Sequence, residues 1–240
     1  MQKAVVVTGG GTGIGRAVAA RFAGEGARVI ITGRRGDVLN RAVAEIDGTV
    51  RAHRFDASRP ADVEDFAREL GGVDVLVNNA GGNTDFDVAA PTRLDDVAAA
   101  WRSNFESNVL SAVLTTTALL PAIREGGSII TIGSIAADKG AGSYGAAKAA
   151  IASWNVDLAR TVGPTGITAN VVSPGYIADT EFFRDVLTDD RRVALVNATM
   201  TKRAGVPEDI ASMVTYLASA QARQITGQVF AVNGGEWTSR

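Results

Sequence analysis

The sequence predicts an α/β fold: one doubly wound domain over residues 1–240, with a seven-stranded parallel sheet flanked by helices on both faces. Three observations predict it. Short runs of Val and Ile recur without polar alternation, as expected of strands buried on both faces. Segments of helical length separate those runs, so successive strands join through right-handed crossovers. No Pro/Ser-rich linker, charge block or internal repeat divides the chain.

The elements follow in order. Ala4–Thr8 is an apolar first strand, and Gly13–Gly24 is a helix that ends at glycine. Ala27–Thr32 is the second strand and Asp37–Ile46 the next helix. Strands Thr49–Phe55 and Val73–Val77 enclose the Pro60–Leu70 helix, with Pro at its first turn. A long helix runs from Leu94 to about Leu120 and stops near Pro121. Strand Ser128–Ile132, helix Ser143–Val162 and strand Ile167–Val172 come next. Helix Pro207–Ser219 and strand Val229–Val232 complete the pattern.

Composition narrows the chemistry. The 240 residues include no Cys and one His, His53, which excludes thiolate metal sites, cysteine nucleophiles, disulfides and multi-histidine metal sites. A net charge of −2 gives no electrostatic footprint for nucleic acid. No stretch approaches the roughly 20 apolar residues that span a bilayer, and the N-terminal apolar run is too short for a signal-peptide core. The expected compartment is the cytoplasm.

In doubly wound folds, ligands bind beyond the C-terminal ends of the strands. There the first strand meets Gly9-Gly10-Gly11-Thr12-Gly13-Ile14-Gly15, a T-G-x-x-x-G-x-G turn running into a helix. Glycines let backbone approach a pyrophosphate, and the helix N-terminus points free N–H groups at it. The alternative is a ligand-free turn, with an unneeded entropic cost from so many glycines. After the second strand, Gly33 stands where an NAD-selective site usually has a carboxylate, and Arg34 and Arg35 follow. Arg34 can bind a 2′-phosphate bidentately, which favours NADP(H) over NAD(H); otherwise both arginines are solvated loop charges.

Tyr144 and Lys148 lie four apart and share one helix face. A phenol of pKa about 10 is a poor base at neutral pH, and a nearby ammonium is expected to lower that value. Alone, such a pair is a common surface feature. Ser134, however, falls at the ligand-binding edge, where its hydroxyl can bond a carbonyl oxygen or merely close a turn. Asn108 sits inside the long helix and either faces solvent or bridges backbone and water near the site.

Thr8–Gly15, Asn78-Asn79-Ala80-Gly81, Asn108, Ser134, Tyr144–Lys148, Pro174-Gly175 and the tail Arg203–Ala211, Ile225–Gln228 and Asn233–Gly235 occur together in one order. In this the chain resembles the short-chain dehydrogenase/reductase family over nearly its whole length, including its 3-oxoacyl thioester reductases. The resemblance implies a Rossmann-type NAD(P)-binding catalytic domain. It implies that Tyr144 is the general acid/base, that Lys148 lowers its pKa and binds the nicotinamide ribose, and that Ser134 orients the substrate oxygen. Asn108 would hold a water in a proton path through Lys148. Gly9, Gly11, Thr12, Gly13 and Ile14 would hold the pyrophosphate side. Asp56 and the Ala57 backbone would meet adenine, and Asn78, Ala80 and Gly81 would line the adenosine ribose. Pro174, Gly175 and Ile177 would flank nicotinamide, with Thr180 near its carboxamide or the phosphates. A homotetramer or homodimer is implied, built on the Leu94 and Tyr144 helices.

Two departures stand out. Ser134 and Tyr144 are ten apart, shorter than usual for the family, so Ala136–Gly142 is expected as a short Gly-rich loop. Asn233 stands where the family more often has Asp. Substrate specificity is expected from an insertion at about residues 180–203, with Phe182, Phe183, Leu187, Val193, Val196 and Met200 as its apolar surface, and from a second wall at Asn83–Pro91. Arg102 and Arg124 are the candidate basic residues for an acyl-carrier protein at the entrance. The sequence thus predicts an NADP(H)-linked oxidoreductase acting on a small-molecule carbonyl or secondary alcohol. The rival is a non-catalytic NAD(P)-binding sensor or scaffold.

Overall fold

The structure, a computed structural model, describes residues 2–87, 93–183 and 186–238. Residues 88–91 of the expected second wall, and Arg184 and Asp185 of the expected insertion, lie outside the described residues.

The strands are β1 (Ala4–Thr8), β2 (Arg28–Gly33), β3 (Thr49–Arg54), β4 (Val73–Asn78), β5 (Ile123–Ile132), β6 (Thr168–Pro174) and β7 (Val229–Val232). They form one seven-stranded sheet in the order β3-β2-β1-β4-β5-β6-β7, and every neighbouring pair is parallel. The order reverses between β1 and β4, which opens a crevice at their C-terminal ends.

Alternation along β1 shows why its apolar run is continuous. Val5 and Val7 join a core with Phe22, Ile31, Ile210 and Leu217 on one face. Val6 joins Phe66, Leu76, Leu119, Ile129 and Leu158 on the other. The first face is covered by α1 (Gly13–Gly24), α2 (Gly36–Glu45) and the helix Pro207–Leu217. The second is covered by α3 (Pro60–Glu69), α5 (Ser111–Leu119) and α7 (Gly142–Val162).

Three expected elements differ. The long Leu94 helix is interrupted: α4 (Leu94–Phe105) passes through a π turn at Glu106–Leu110 before α5 begins. The cause is local. Asn108 Nδ2 donates to the Asn104 carbonyl at 2.9 Å, the acceptor that a regular helix reserves for the Asn108 N–H. The backbone widens, and Ser111 N–H reaches Glu106 O five residues back. Strand β5 begins at Ile123 rather than Ser128, because Ile123 pairs with Val73 before an irregularity in the ladder. Ala136–Gly142 is not all loop: Ala136–Lys139 forms a helical turn, α6, in which Ser134 Oγ accepts the Ala136 N–H at 3.1 Å. Gly140 (φ 76°) and Gly142 (φ 55°) then turn the chain into α7.

Candidate active site

The crevice is a cleft of about 1510 Å³ that runs from the glycine turn to the start of α7. Gly9 (φ 64°) and Gly13 (φ 50°) bend the backbone around its floor. A Cβ on Gly15 would collide with the Gly9 carbonyl oxygen, so the turn closes only with glycine there. The α1 N-terminus has no side-chain cap from Thr12 and no acid in its first turn. Its free N–H groups therefore favour an anion at this end. Thr8 Oγ1 accepts the N–H groups of Asn79 and Ala80, both at 3.0 Å, and Asn79 Nδ2 donates to the Thr8 and Gly9 carbonyls at 3.1 and 3.0 Å. These bonds fix the end of β4 against the turn.

Gly9, Gly11, Thr12, Gly13, Ile14, Arg34, Arg35, Asp56, Ala57, Ala80, Gly81, Pro174, Gly175, Ile177 and Thr180 all line the cleft. Asn78 is the correction. Its side chain turns away from the cleft and donates to Thr116 Oγ1 at 2.8 Å, while its neighbour Asn79 lines the wall. Successive side chains at a strand end point in opposite directions, so one residue decides the face. Burial raises the Asp56 carboxyl, but bonds from the Ser58 N–H and hydroxyl, with the Arg34 and Arg59 charges, outweigh it and hold the pKa below 3.8. Arg35 pairs with Glu181 at 2.6 Å.

At the other end, α7 presents Tyr144 and Lys148, both buried. Burial pushes the Tyr144 phenol up to about 12, partly offset by a hydrogen bond with the Ser134 hydroxyl. Ser134 and Tyr144 both line the cleft despite their short spacing. Lys148 Nζ donates to the Ile132 carbonyl at 2.9 Å, and burial lowers its pKa to about 8. The expectation that Lys148 lowers the Tyr144 pKa is therefore not met by the protein groups alone. Nζ lies 5.8 Å from the centre of the Tyr144 ring, its own charge is disfavoured by burial, and desolvation of the phenol dominates.

Asn108 lies behind the cleft wall. Its Oδ1 accepts the Gly82 N–H at 3.1 Å and its Nδ2 donates to the Gly82 carbonyl at 2.9 Å, clamping the Ala80–Gly82 loop to the π turn. Arg124 is paired with Asp74 at 2.7 Å near the start of β5, the end of the strand opposite the cleft. It is thus not a residue of the entrance. His53 packs on Phe66, with ring centres 4.8 Å apart, outside the cleft.

Sequence reasoning missed several neighbours. Asn104 donates to Asp85 Oδ1 and Ser143 Oγ, both at 2.8 Å, in a buried network just before Tyr144. Its position one turn before Asn108, on the same helix face, was the available signal. Phe182 and Phe183 of the expected insertion do meet the site: Phe182 lies 5.5 Å from the Tyr144 ring, and Phe86 of the expected second wall, with Tyr176, which the sequence reading did not name, completes an aromatic roof.

Residues 9–236 match the family described as "Enoyl-(Acyl carrier protein) reductase". The 3-oxoacyl-[acyl-carrier-protein] reductase FabG of Escherichia coli is 36% identical over 242 residues, covering 97% of this chain and 96% of that one. A Brucella melitensis structure titled a short-chain dehydrogenase/reductase superposes with a TM-score of 0.88, at 31% identity and 100% coverage of both chains. The chain belongs to the short-chain dehydrogenase/reductase family. It is an oxidoreductase of that family with the Rossmann-like sheet order described above. A blue fluorescent protein from a metagenomic library, solved in complex with NADPH, is also similar, with a TM-score of 0.85 and 34% identity over 98% of each chain.

Proposed function

We propose that this chain is an NADP(H)-linked reductase of a small-molecule carbonyl, with Tyr144 as the proton donor. The observation that carries the reading is Tyr144 itself. It is a buried phenol, bonded by Ser134 and pushed up to about 12, in the same cleft as the glycine turn. At neutral pH such a group is fully protonated, which suits it to give a proton rather than take one. The cleft fits a dinucleotide: it offers an uncapped helix N-terminus for the pyrophosphate and two arginines beyond β2, with no acid at Gly33, for a 2′-phosphate. The NADPH bound by the similar metagenomic protein supports the same choice.

Bound in this cleft, the dinucleotide would supply a hydride to the carbonyl carbon, leaving the developing alkoxide oxygen to this chain's residues. Tyr144 gives that oxygen its hydroxyl proton. Ser134, already bonded to Tyr144, orients the substrate oxygen toward it. Lys148, held by Ile132, fixes the helix face that carries the phenol and holds a proton close to neutral pH. Asn108 acts by placing the Gly82 loop rather than by touching substrate. The aromatic roof excludes water and favours an apolar substituent beside the carbonyl; the FabG relationship makes a 3-oxoacyl thioester one candidate. Exposed Leu94 (87%) and Trp101 (45%) on α4, with Val156 on α7, support a homotetramer or homodimer closed on those helices.

Tyr144→Phe is the test. Turnover with a carbonyl panel, followed at the reduced-nicotinamide absorbance, should fall at least about a hundredfold while dinucleotide binding persists. Undiminished turnover overturns the mechanism. Wild-type protein that binds dinucleotide but turns over no carbonyl with either cofactor would favour the sensor or scaffold.

A further inference from the structure

We infer that Glu181 is a cofactor-specificity residue: it competes with the 2′-phosphate of the dinucleotide for Arg35. This rests on the reading that the cleft binds NAD(P)(H). Arg35 is the second residue after β2 and the N-cap of α2, at the place where a 2′-substituent would lie. Its Nη2 is held by Glu181 Oε2 at 2.6 Å, a residue 146 positions further along the chain. The preceding residue, Thr180, lies over the glycine turn: a Cβ on Gly13 would sit 3.3 Å from Thr180 Cγ2. The chain after β6 therefore crosses above the pyrophosphate position and delivers a carboxylate to the ribose end. Arg35, Thr180 and Glu181 all line the cleft, and both charged side chains stay more than half exposed (58% and 59%).

The consequence follows from charge. Gly33 leaves no acid at the end of β2, so Glu181 supplies from the opposite wall what that position lacks. A ribose 2′-hydroxyl can donate to this carboxylate, and the ion pair with Arg35 can persist. A 2′-phosphate is itself an anion and needs Arg35, so it must displace Glu181 and is repelled by it. Glu181 thus narrows the preference for the phosphorylated cofactor that Arg34 and Arg35 create, a repulsive element set beside an attractive one. Its repulsion of the pyrophosphate is common to both cofactors and cancels in their ratio.

The test measures dissociation constants of NADPH and NADH from their own fluorescence, in wild type, Glu181→Gln, Glu181→Lys, Arg35→Ala and the Arg35→Ala/Glu181→Gln double variant. Glu181→Gln should shift the NADPH:NADH ratio toward NADPH by about three- to tenfold, the scale of an exposed pair acting on a doubly charged group. Glu181→Lys should shift it further, and about 0.5 M salt should shrink both shifts. In the Arg35→Ala background the Glu181→Gln shift should shrink to the part due to direct repulsion alone. An unchanged ratio in the wild-type background, or a shift undiminished by removal of Arg35, overturns the competition. Binding of neither cofactor by wild type overturns this inference together with the reading beneath it, whereas binding with an unmoved ratio overturns this inference alone.

Discussion

Lys148 is a charge carried into a protein interior, and its burial should be measurable as a stability that depends on pH. Among the described residues its one hydrogen-bond partner is the Ile132 carbonyl, at 2.9 Å. Lowering its pKa from 10.5 to about 8 corresponds to about 3 kcal/mol against the charged form. The sign is set by proton counts. Between the folded value near 8 and the unfolded value of 10.5, the unfolded chain holds a proton that the folded chain has released. Stability from this group is therefore fully present above 10.5 and is lost as pH falls through 8. Tyr144 does not interfere below pH 10: its folded value near 12 lies above its unfolded 10.0, so its contribution is constant until the unfolded phenol ionises. The perturbation is Lys148→Met, which keeps the stem and removes the charge. The assay is urea unfolding of wild type and variant at matched protein concentration, from pH 7 to pH 10. The variant's stability relative to wild type should fall by about 2–3 kcal/mol across that range. The lost Ile132 bond offsets the difference equally at every pH and leaves its slope untouched. A difference that is flat with pH would refute the claim that Lys148 is an uncompensated buried ammonium.

Three further outcomes are expected. Arg34→Ala should raise the KM for NADPH much more than for NADH; equal effects in paired kinetics would remove Arg34 from the 2′-phosphate site. Gly15→Ala should destabilise the fold by about 1–3 kcal/mol and weaken dinucleotide binding, because its Cβ meets the backbone oxygen of Gly9 rather than a movable side chain; thermal melting and cofactor fluorescence read the two effects. Asn104→Ala should cost about 2–3 kcal/mol in denaturant unfolding, since it leaves Asp85 and Ser143 without their shared amide donor, and should lower kcat more than it raises KM.

What the sequence made legible is what neighbours along the chain decide. The Val/Ile strands, the glycine turn and the Tyr144–Lys148 helix face all depend on spacings of a few residues. What it hid depends on side chains that meet across the fold or turn against their own backbone. The four-residue spacing puts Asn104 and Asn108 on one face, but a regular helix has that spacing too, so it does not signal that Asn108 will take the Asn104 carbonyl and open a π turn. Asn78 and Asn79 are indistinguishable by type; only the exact end of β4 decides which one faces the cleft. The direction of the Tyr144 shift depended on comparing a charge with burial, and burial comes from Phe182 and the helix packing around the phenol, which a helix-face argument does not contain. Arg124 comes just before the apolar run of β5, which puts it at the N-terminal end of that strand, away from the cleft.

The way α7 meets the end of β5 has a consequence for how this chain can vary. The Ile132 carbonyl accepts from Lys148 at 2.9 Å and Ser134 faces Tyr144, so the two residues just beyond β5 are matched to one turn of helix. The lengths agree, at about 6.6 Å for the extended pair and about 6 Å for four helical residues. The strand end and the helix work like two scales with coincident marks. An inserted or deleted residue inside either interval breaks the coincidence, whereas the stretch between them, 135–141, lies outside both and is held by its own contacts, Ile135 N–H to the Pro174 carbonyl and Lys139 to Glu236. The ten-residue spacing therefore leaves both intervals at full length.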